Sequence, residues 1–94
     1  MIVKTSELRH FCDTLMTHLE DSGYETIEIT DDYFWDIPYQ QMYVPEKKPT
    51  ELTLGSLTED WKEIKKIEEN DYTVAYVLVW IGNILKNIGY RTPV

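Results

Sequence analysis

The segment Val74–Ile88 constrains the fold more than any other part of the chain. Its apolar residues recur at intervals of three and four, the spacing that lays a stripe along one face of an α-helix. Its first half is β-branched enough for a buried strand, but the continuous spacing favours one helix of about four turns. We predict a helix over 73–88 that is stopped by Gly89 and lies at the centre of the fold.

Another helix is predicted near the start of the chain. Apolar residues again recur every three or four positions along this segment. Thr5 or Ser6 can cap the first turn, and Gly23 stands where a left-handed residue commonly follows a helix. The pattern therefore predicts a helix over 5–22.

A third helix is predicted in the second half of the chain. Ser56 and Glu59 have the Ser-x-x-Glu spacing of a capping box, which begins a helix. An apolar stripe that includes Trp61 follows, and the helix is predicted over 57–70. We expect Trp61 and Trp80 to lie in the core.

A small antiparallel sheet is predicted between the first two helices. Residues 24–30 and 33–37 both alternate with the period of two that is typical of strands, and we expect these segments to pair. Asp31 and Asp32 are expected to form the turn between them. A further short alternation at 51–54 precedes Gly55.

Together these elements predict an α+β fold. The chain has 94 residues, which is enough for one small domain, so we predict a single domain over 1–94. The last helix is expected to be packed by the other two. The predicted elements are helices over 5–22, 57–70 and 73–88 and an antiparallel sheet drawn from 24–54.

Negative charge is concentrated in one stretch of the chain. Nine acidic residues and no Lys or Arg fall between His10 and Glu46, whereas the rest of the chain carries eight acids and nine bases. The same stretch holds seven of the twelve aromatic residues, which supply contact area. Solubility alone can explain the net charge of −8. The combination of acids and aromatics also indicates a docking surface for a basic partner.

We therefore predict an acidic, non-enzymatic binding module, of the immunity-protein or inhibitor kind, that docks a basic protein. Either Phe34 or Trp35 must face outward on its strand, and the outward residue would be the anchor. The residues expected to contact the partner are Asp31, Asp32, Phe34, Trp35, Asp36 and Tyr39. The alternative is a self-associating structural or regulatory subunit, whose last helix completes its burial across a symmetric dimer. A carboxylate-based enzyme or a metal-binding protein is the third hypothesis.

No residue spacing predicts a catalytic or cofactor site. His10 and His18 lie about 80° apart around the first helix and about 12 Å apart along it, so they cannot share a metal ion. Cys12 falls in the apolar stripe, where a thiol behaves as a small hydrophobic group. The carboxylate groups Asp31–Asp32 with Asp36, and Glu59–Asp60, could bind a cation if folded together, but a turn and a helix start explain them as well. We predict no enzymatic activity, no metal and no cofactor.

Nucleic acids and membranes are not expected as partners. Negative net charge repels phosphate, and the bases are scattered apart from Lys47–Lys48 and Lys65–Lys66. The longest apolar run, Val74–Ile81, is far shorter than the roughly 20 residues that span a bilayer. A single cysteine and a start without the pattern of a secretory signal favour the cytoplasm.

Two segments resemble a small family of bacterial proteins. Asp32–Pro38 contains the sequence Trp-Asp-Ile-Pro, and Glu51–Trp61 contains the pattern Leu-Thr-x-Gly-x-Leu-x-x-Asp-Trp. Val79–Trp80 resembles a Val-Trp pair in the family's last helix, and the similarity covers about residues 24–90. No activity is established for that family, so the resemblance implies a compact bacterial domain and no particular site residue.

Overall fold

The computed structural model describes residues 1–92 and has the predicted α+β class. Residues Met1–Glu28 belong to one compact unit and Ile29–Arg91 to a second. The elements in chain order are α1 (Thr5–Asp21), β1 (Tyr33–Asp36), α2 (Tyr39–Met42), β2 (Thr53–Ser56), α3 (Leu57–Lys65) with a 3-10 turn (Lys66–Glu69), and α4 (Val74–Arg91). None of the helices in the described part of the chain is long and apolar enough to cross a membrane.

In the first unit, α1 ends as the sequence predicts. Gly23 has a φ of 94°, in the left-handed region that favours glycine. Its N–H donates to the carbonyl of Glu20 at 3.1 Å, and the N–H of Tyr24 donates to the carbonyl of Leu19 at 2.9 Å. These two bonds form a Schellman motif, which satisfies carbonyls of the last turn.

The predicted cap at the start of α1 is wrong. The N-cap residue is Lys4, and no side chain bonds to the backbone there. Its carbonyl accepts the N–H groups of Glu7 and Leu8, so the helix begins one residue earlier than a cap at Thr5 would require and two earlier than a cap at Ser6 would. Both residues therefore lie inside the first turn.

The sheet consists of β1 and β2, which pair antiparallel with Tyr33 opposite Ser56 and Trp35 opposite Leu54. The predicted strand over 24–30, and its pairing with 33–37, are wrong, because residues 24–30 have no strand conformation. In the second unit Ile29 packs against the core from irregular backbone. Alternation in that segment reflects which side chains are buried and not a strand pairing.

Phe34 points inward from β1, and its ring lies over the backbone of Gly55. A Cβ atom at Gly55 would lie 2.6 and 2.7 Å from the Cε2 and Cε1 atoms of that ring. Ordinary carbon contacts are about 3.5–4.0 Å, so no larger residue fits at position 55 without movement of the ring. Gly55 therefore allows β2 to lie close against the Phe34 ring.

The core of the second unit forms where α3 packs against α4. Four side chains are buried in it: Leu57, Ile64, Val77 and Ile84. The margin of the core is made by Ile29, Phe34, Trp80, Ile81 and Ile88. The helical form of the Val74–Ile88 segment is thus confirmed, although the helix continues past Gly89 to Arg91.

Trp80 packs against the core and is half-buried, whereas the predicted core placement of Trp61 is wrong. Trp61 is 49% exposed, although it lies between Leu57 and Ile64 in the apolar stripe of α3. The face of α3 that packs against α4 is narrower than this apolar stripe, so Trp61 lies outside the contact. The Lys65 ammonium lies 6.0 Å from the centroid of the Trp61 ring. After α3 and its 3-10 turn, Asn70 adopts a left-handed conformation, which confirms the predicted end.

Candidate functional site

Asp32 is bound to the start of α3. Its carboxylate accepts hydrogen bonds from the Ser56 hydroxyl and the Thr58 N–H, both at 2.6 Å, and from the Thr58 hydroxyl at 2.5 Å. Its carbonyl accepts the N–H of Leu57 at 2.9 Å. The Ser56 hydroxyl accepts the N–H of Glu59 at 3.3 Å, as the predicted cap requires. The first three N–H groups of α3 therefore have partners.

These bonds also determine the charge state of Asp32. The hydroxyls of Ser56 and Thr58 donate to the carboxylate and hold the pKa of Asp32 below its usual value. A negative charge at the positive end of a helix is favourable as well. Asp32 therefore supports the fold, with its oxygens directed toward α3.

Asp31 forms an ion pair with the end of α4. The Nη1 atom of Arg91 lies 3.0 Å from its carboxylate, and the Asp31 side chain is 78% exposed. An exposed pair of this kind contributes little to stability. Of the two neighbouring acids, Asp31 is thus the one that a partner could reach. Such a contact would replace its ion pair with Arg91.

The pleat of β1 separates the two aromatic candidates. Phe34 packs against the core, whereas Trp35 is 70% exposed on the opposite face. Tyr33 and Leu54 are exposed on the same side as Trp35, and we call these three residues the aromatic face. The question left open by the sequence is thereby answered: Trp35 is the outward residue.

Tyr39 lies outside the sheet, at the start of α2. It is exposed, and its ring meets the ring of Tyr43 edge-on at a centroid distance of 5.7 Å. The side-chain oxygen of Gln41 in α2 accepts the N–H of Thr50 at 2.6 Å. This bond ties the short helix to the segment that enters β2, so Tyr39 is held on ordered backbone.

A groove of about 210 Å³ runs between β1 and α4, and we call it the edge groove. It is lined by Phe34, Trp35 and Asp36 from β1, which belong to both faces of that strand, and by Asn83, Lys86, Asn87 and Tyr90 from α4. Its lining comes from β1 and α4, with no contribution from β2. The edge groove therefore lies on the side of β1 that faces away from its partner strand.

Carboxylates gather at one end of the edge groove. The Asn83 amide donates to the Asp60 carboxylate at 3.0 Å. Partial burial is the main cause that raises the pKa of Asp60, and the negative charges of Asp36 and Asp32 raise it further. The sequence suggested two separate acidic groups, Asp31–Asp32 with Asp36 and Glu59–Asp60, whereas the fold brings Asp60 near Asp32 and Asp36. Within residues 1–92 no group of three or more acidic, histidine or cysteine side chains is arranged to hold a metal ion.

A second groove, of about 260 Å³, lies between the end of α3 and the start of α4. The Lys66 ammonium in its wall is 3.1 Å from the Glu63 carboxylate, and this contact raises the pKa of Lys66. Asp71 lines the same groove and adds a further acidic group. The edge groove combines Asp36 and the nearby Asp60 with the exposed ring of Trp35, and it is therefore the better candidate for a basic partner that docks on the aromatic face.

Asn83, Asn87 and Tyr90 were missed by the sequence analysis. They fall on one side of α4, at spacings of four and three residues, within a segment that is otherwise mostly apolar. A polar strip on a central helix was the available signal. It was overlooked because the apolar stripe alone was used to define that helix.

Comparison of the chain with protein-family models, with curated proteins and with solved structures finds no match. The resemblance to a small bacterial family therefore stays a prediction.

Proposed function

We propose that the protein is a binding module that docks a basic partner protein through Trp35. The observation that supports this function is the 70% exposure of Trp35 on a strand whose other face is packed against the core. A tryptophan on ordered backbone offers a large contact area with little loss of conformational freedom on binding. Its exposure in the free protein leaves that area to be buried by a partner.

Charge supports a basic partner. Asp31 lies before β1, Asp36 is its last residue and Asp60 lies near Asp36, and the chain has a net charge of −8. Such a field steers a positively charged surface toward the site and raises the association rate. Asp31 is exposed and Asp36 and Asp60 are half-buried, and salt screens the field that these acids extend into the solvent. Binding is therefore expected to weaken as salt concentration rises.

The test compares two tryptophan variants as bait for proteins from a lysate of the source cells. We expect Trp35→Ala to reduce the affinity for a captured basic protein at least tenfold, which is roughly 1.4 kcal/mol. Trp61→Ala is the matched control, because Trp61 is also exposed but lies on α3. Captured proteins are quantified by mass spectrometry at low and high salt, and the dissociation constant is then measured with the purified partner.

Two results would contradict this function. One is equal capture by the wild type and by Trp35→Ala. The other is binding that does not change between low and high salt. Circular dichroism of both variants provides the folding control, since neither substituted side chain is buried.

Self-association is a second candidate, supported by the exposed side of α4. Val74, Leu78 and Leu85 recur there at helical spacing, and Leu78 is 63% exposed. A symmetric dimer would bury this stripe against its copy. Light scattering is expected to give a dimer mass that resists high salt, and Leu78→Lys should return the monomer. A monomeric mass at all concentrations would reject this candidate.

A further inference from the structure

We propose that the edge groove binds an extended basic segment of the partner, which joins the sheet as a third strand beside β1. This inference rests on the proposed function and specifies the kind of chain that the module recognises. Strand addition at an open sheet edge is a common form of peptide recognition, in which backbone bonds supply affinity and neighbouring side chains supply specificity.

One edge of β1 has backbone groups that could bond to an added strand. The Leu57 N–H donates to the carbonyl of Asp32, and hydrogen-bonded pairs alternate along an antiparallel ladder. Phe34 and Asp36 therefore bond to β2, so the N–H and C=O groups of Tyr33 and Trp35 face the other edge. Within residues 1–92 the sheet has two strands, and no third strand occupies that edge. Free backbone groups at a strand edge are a template for another chain.

Two asparagines on α4 add acceptors on the opposite wall. The Asn83 amide nitrogen donates to Asp60, and the Asn87 amide nitrogen donates to the carbonyl of Asn83 at 2.9 Å. These bonds fix the orientation of both side chains. Each Oδ1 atom is then left to accept a bond from an N–H or an ammonium group of the incoming segment.

The groove favours a lysine or arginine side chain at one position of the segment. Trp35 and Tyr90 line the groove with exposed aromatic rings, which attract cations. Asp36 and the nearby Asp60 supply negative charge. Lys86 also lines the groove and repels a second basic residue beside it. The expected segment therefore has one basic residue flanked by neutral residues with strand propensity.

The probe is a capped nine-residue peptide of alternating threonine and valine with one central lysine. Binding to the full chain is followed by NMR titration, with the backbone amides of β1 as reporters. We expect about tenfold weaker binding when the lysine is replaced by glutamate, and about tenfold weaker binding with Tyr90→Ala. Tyr76→Ala is the matched control, because Tyr76 is an exposed tyrosine of α4 that does not line the edge groove.

Backbone pairing is tested with the same peptide N-methylated at alternate residues, since methylation removes the N–H groups that a strand must donate. We expect binding to be lost when the methylated residues are those whose N–H groups would donate to β1. Equal binding of the methylated and unmethylated peptides, unchanged affinity with Tyr90→Ala, or no binding of the lysine peptide would overturn the inference. If capture of a basic protein requires Trp35 but not Tyr90, the proposed function stands and the edge groove is rejected as the binding site.

Discussion

Replacement of Gly55 by alanine is expected to lower the free energy of unfolding by about 1–3 kcal/mol. The added methyl group would meet the Phe34 ring at less than 3 Å. That ring packs against the core on its other side, so it cannot move away without loss of contacts there. The backbone of Gly55 lies outside the left-handed region, so the expected cost comes from crowding and not from backbone strain.

Urea denaturation of Gly55→Ala measures this cost, and Gly82→Ala is the control. Gly82 lies within α4, and a Cβ atom there would meet nothing within 4 Å. Alanine in a helix interior is favoured over glycine by about 0.5–1 kcal/mol, so Gly82→Ala is expected to stabilise the protein. Combining Gly55→Ala with Phe34→Leu should cost less than the sum of the two changes. Additive losses, or a neutral Gly55→Ala, would show that the ring does not restrict position 55.

Replacement of Asp32 by alanine is expected to destabilise the Ile29–Arg91 unit more than Ser56→Ala does. Loss of the N-cap in Ser56→Ala costs about 1 kcal/mol. Asp32→Ala removes three hydrogen bonds to its carboxylate, from the hydroxyl of Ser56 and from the N–H and hydroxyl of Thr58. It also removes a negative charge at the start of α3. Asp31→Ala is the control, and only a small loss is expected because its ion pair is exposed.

The effect of Asp32→Ala should depend on pH in a defined direction. The pKa of Asp32 is lowered in the folded state, so its contribution to stability is complete above about pH 4, the ordinary range of an aspartate. It is lost as the pH falls through the folded pKa. The pKa of Asp60 is raised in the folded state, so this group has the opposite effect. Its contribution to stability increases as the pH falls.

Urea denaturation at neutral pH and below pH 4 measures this dependence. The difference in stability between the wild type and Asp32→Ala should shrink at the lower pH, while Asp31→Ala stays close to the wild type at both. A difference of the same size at both pH values would mean that the carboxylate charge is not what holds the start of α3.

Three of the helices, α1, α3 and α4, could be predicted because their signals are local, whereas the short helix α2 was not predicted. The spacing in Val74–Ile88, the Gly23 stop and the Ser56 cap each depend on residues within a few positions of one another, and each is present in the structure. Such signals report what the nearby backbone prefers. They do not depend on which other part of the chain lies next to the helix.

The sheet and the roles of the two aspartates could not be predicted in the same way. Alternation indicates that a segment can form a strand but does not indicate which strand it pairs with. In the structure β1 pairs with β2, across the long connection 37–52. Asp31 and Asp32 match a turn by composition, yet Asp32 caps α3 and Asp31 meets Arg91. These contacts join residues far apart in the sequence, where local propensity gives no information.

The inner and outer faces of β1 differ in how freely their residues can be replaced. Phe34 faces the core and Gly55, so most substitutions there would lower stability. Tyr33, Trp35 and Leu54 face outward, where substitutions usually alter stability by less than about 0.5 kcal/mol. The outward face can therefore be redesigned while the scaffold is retained.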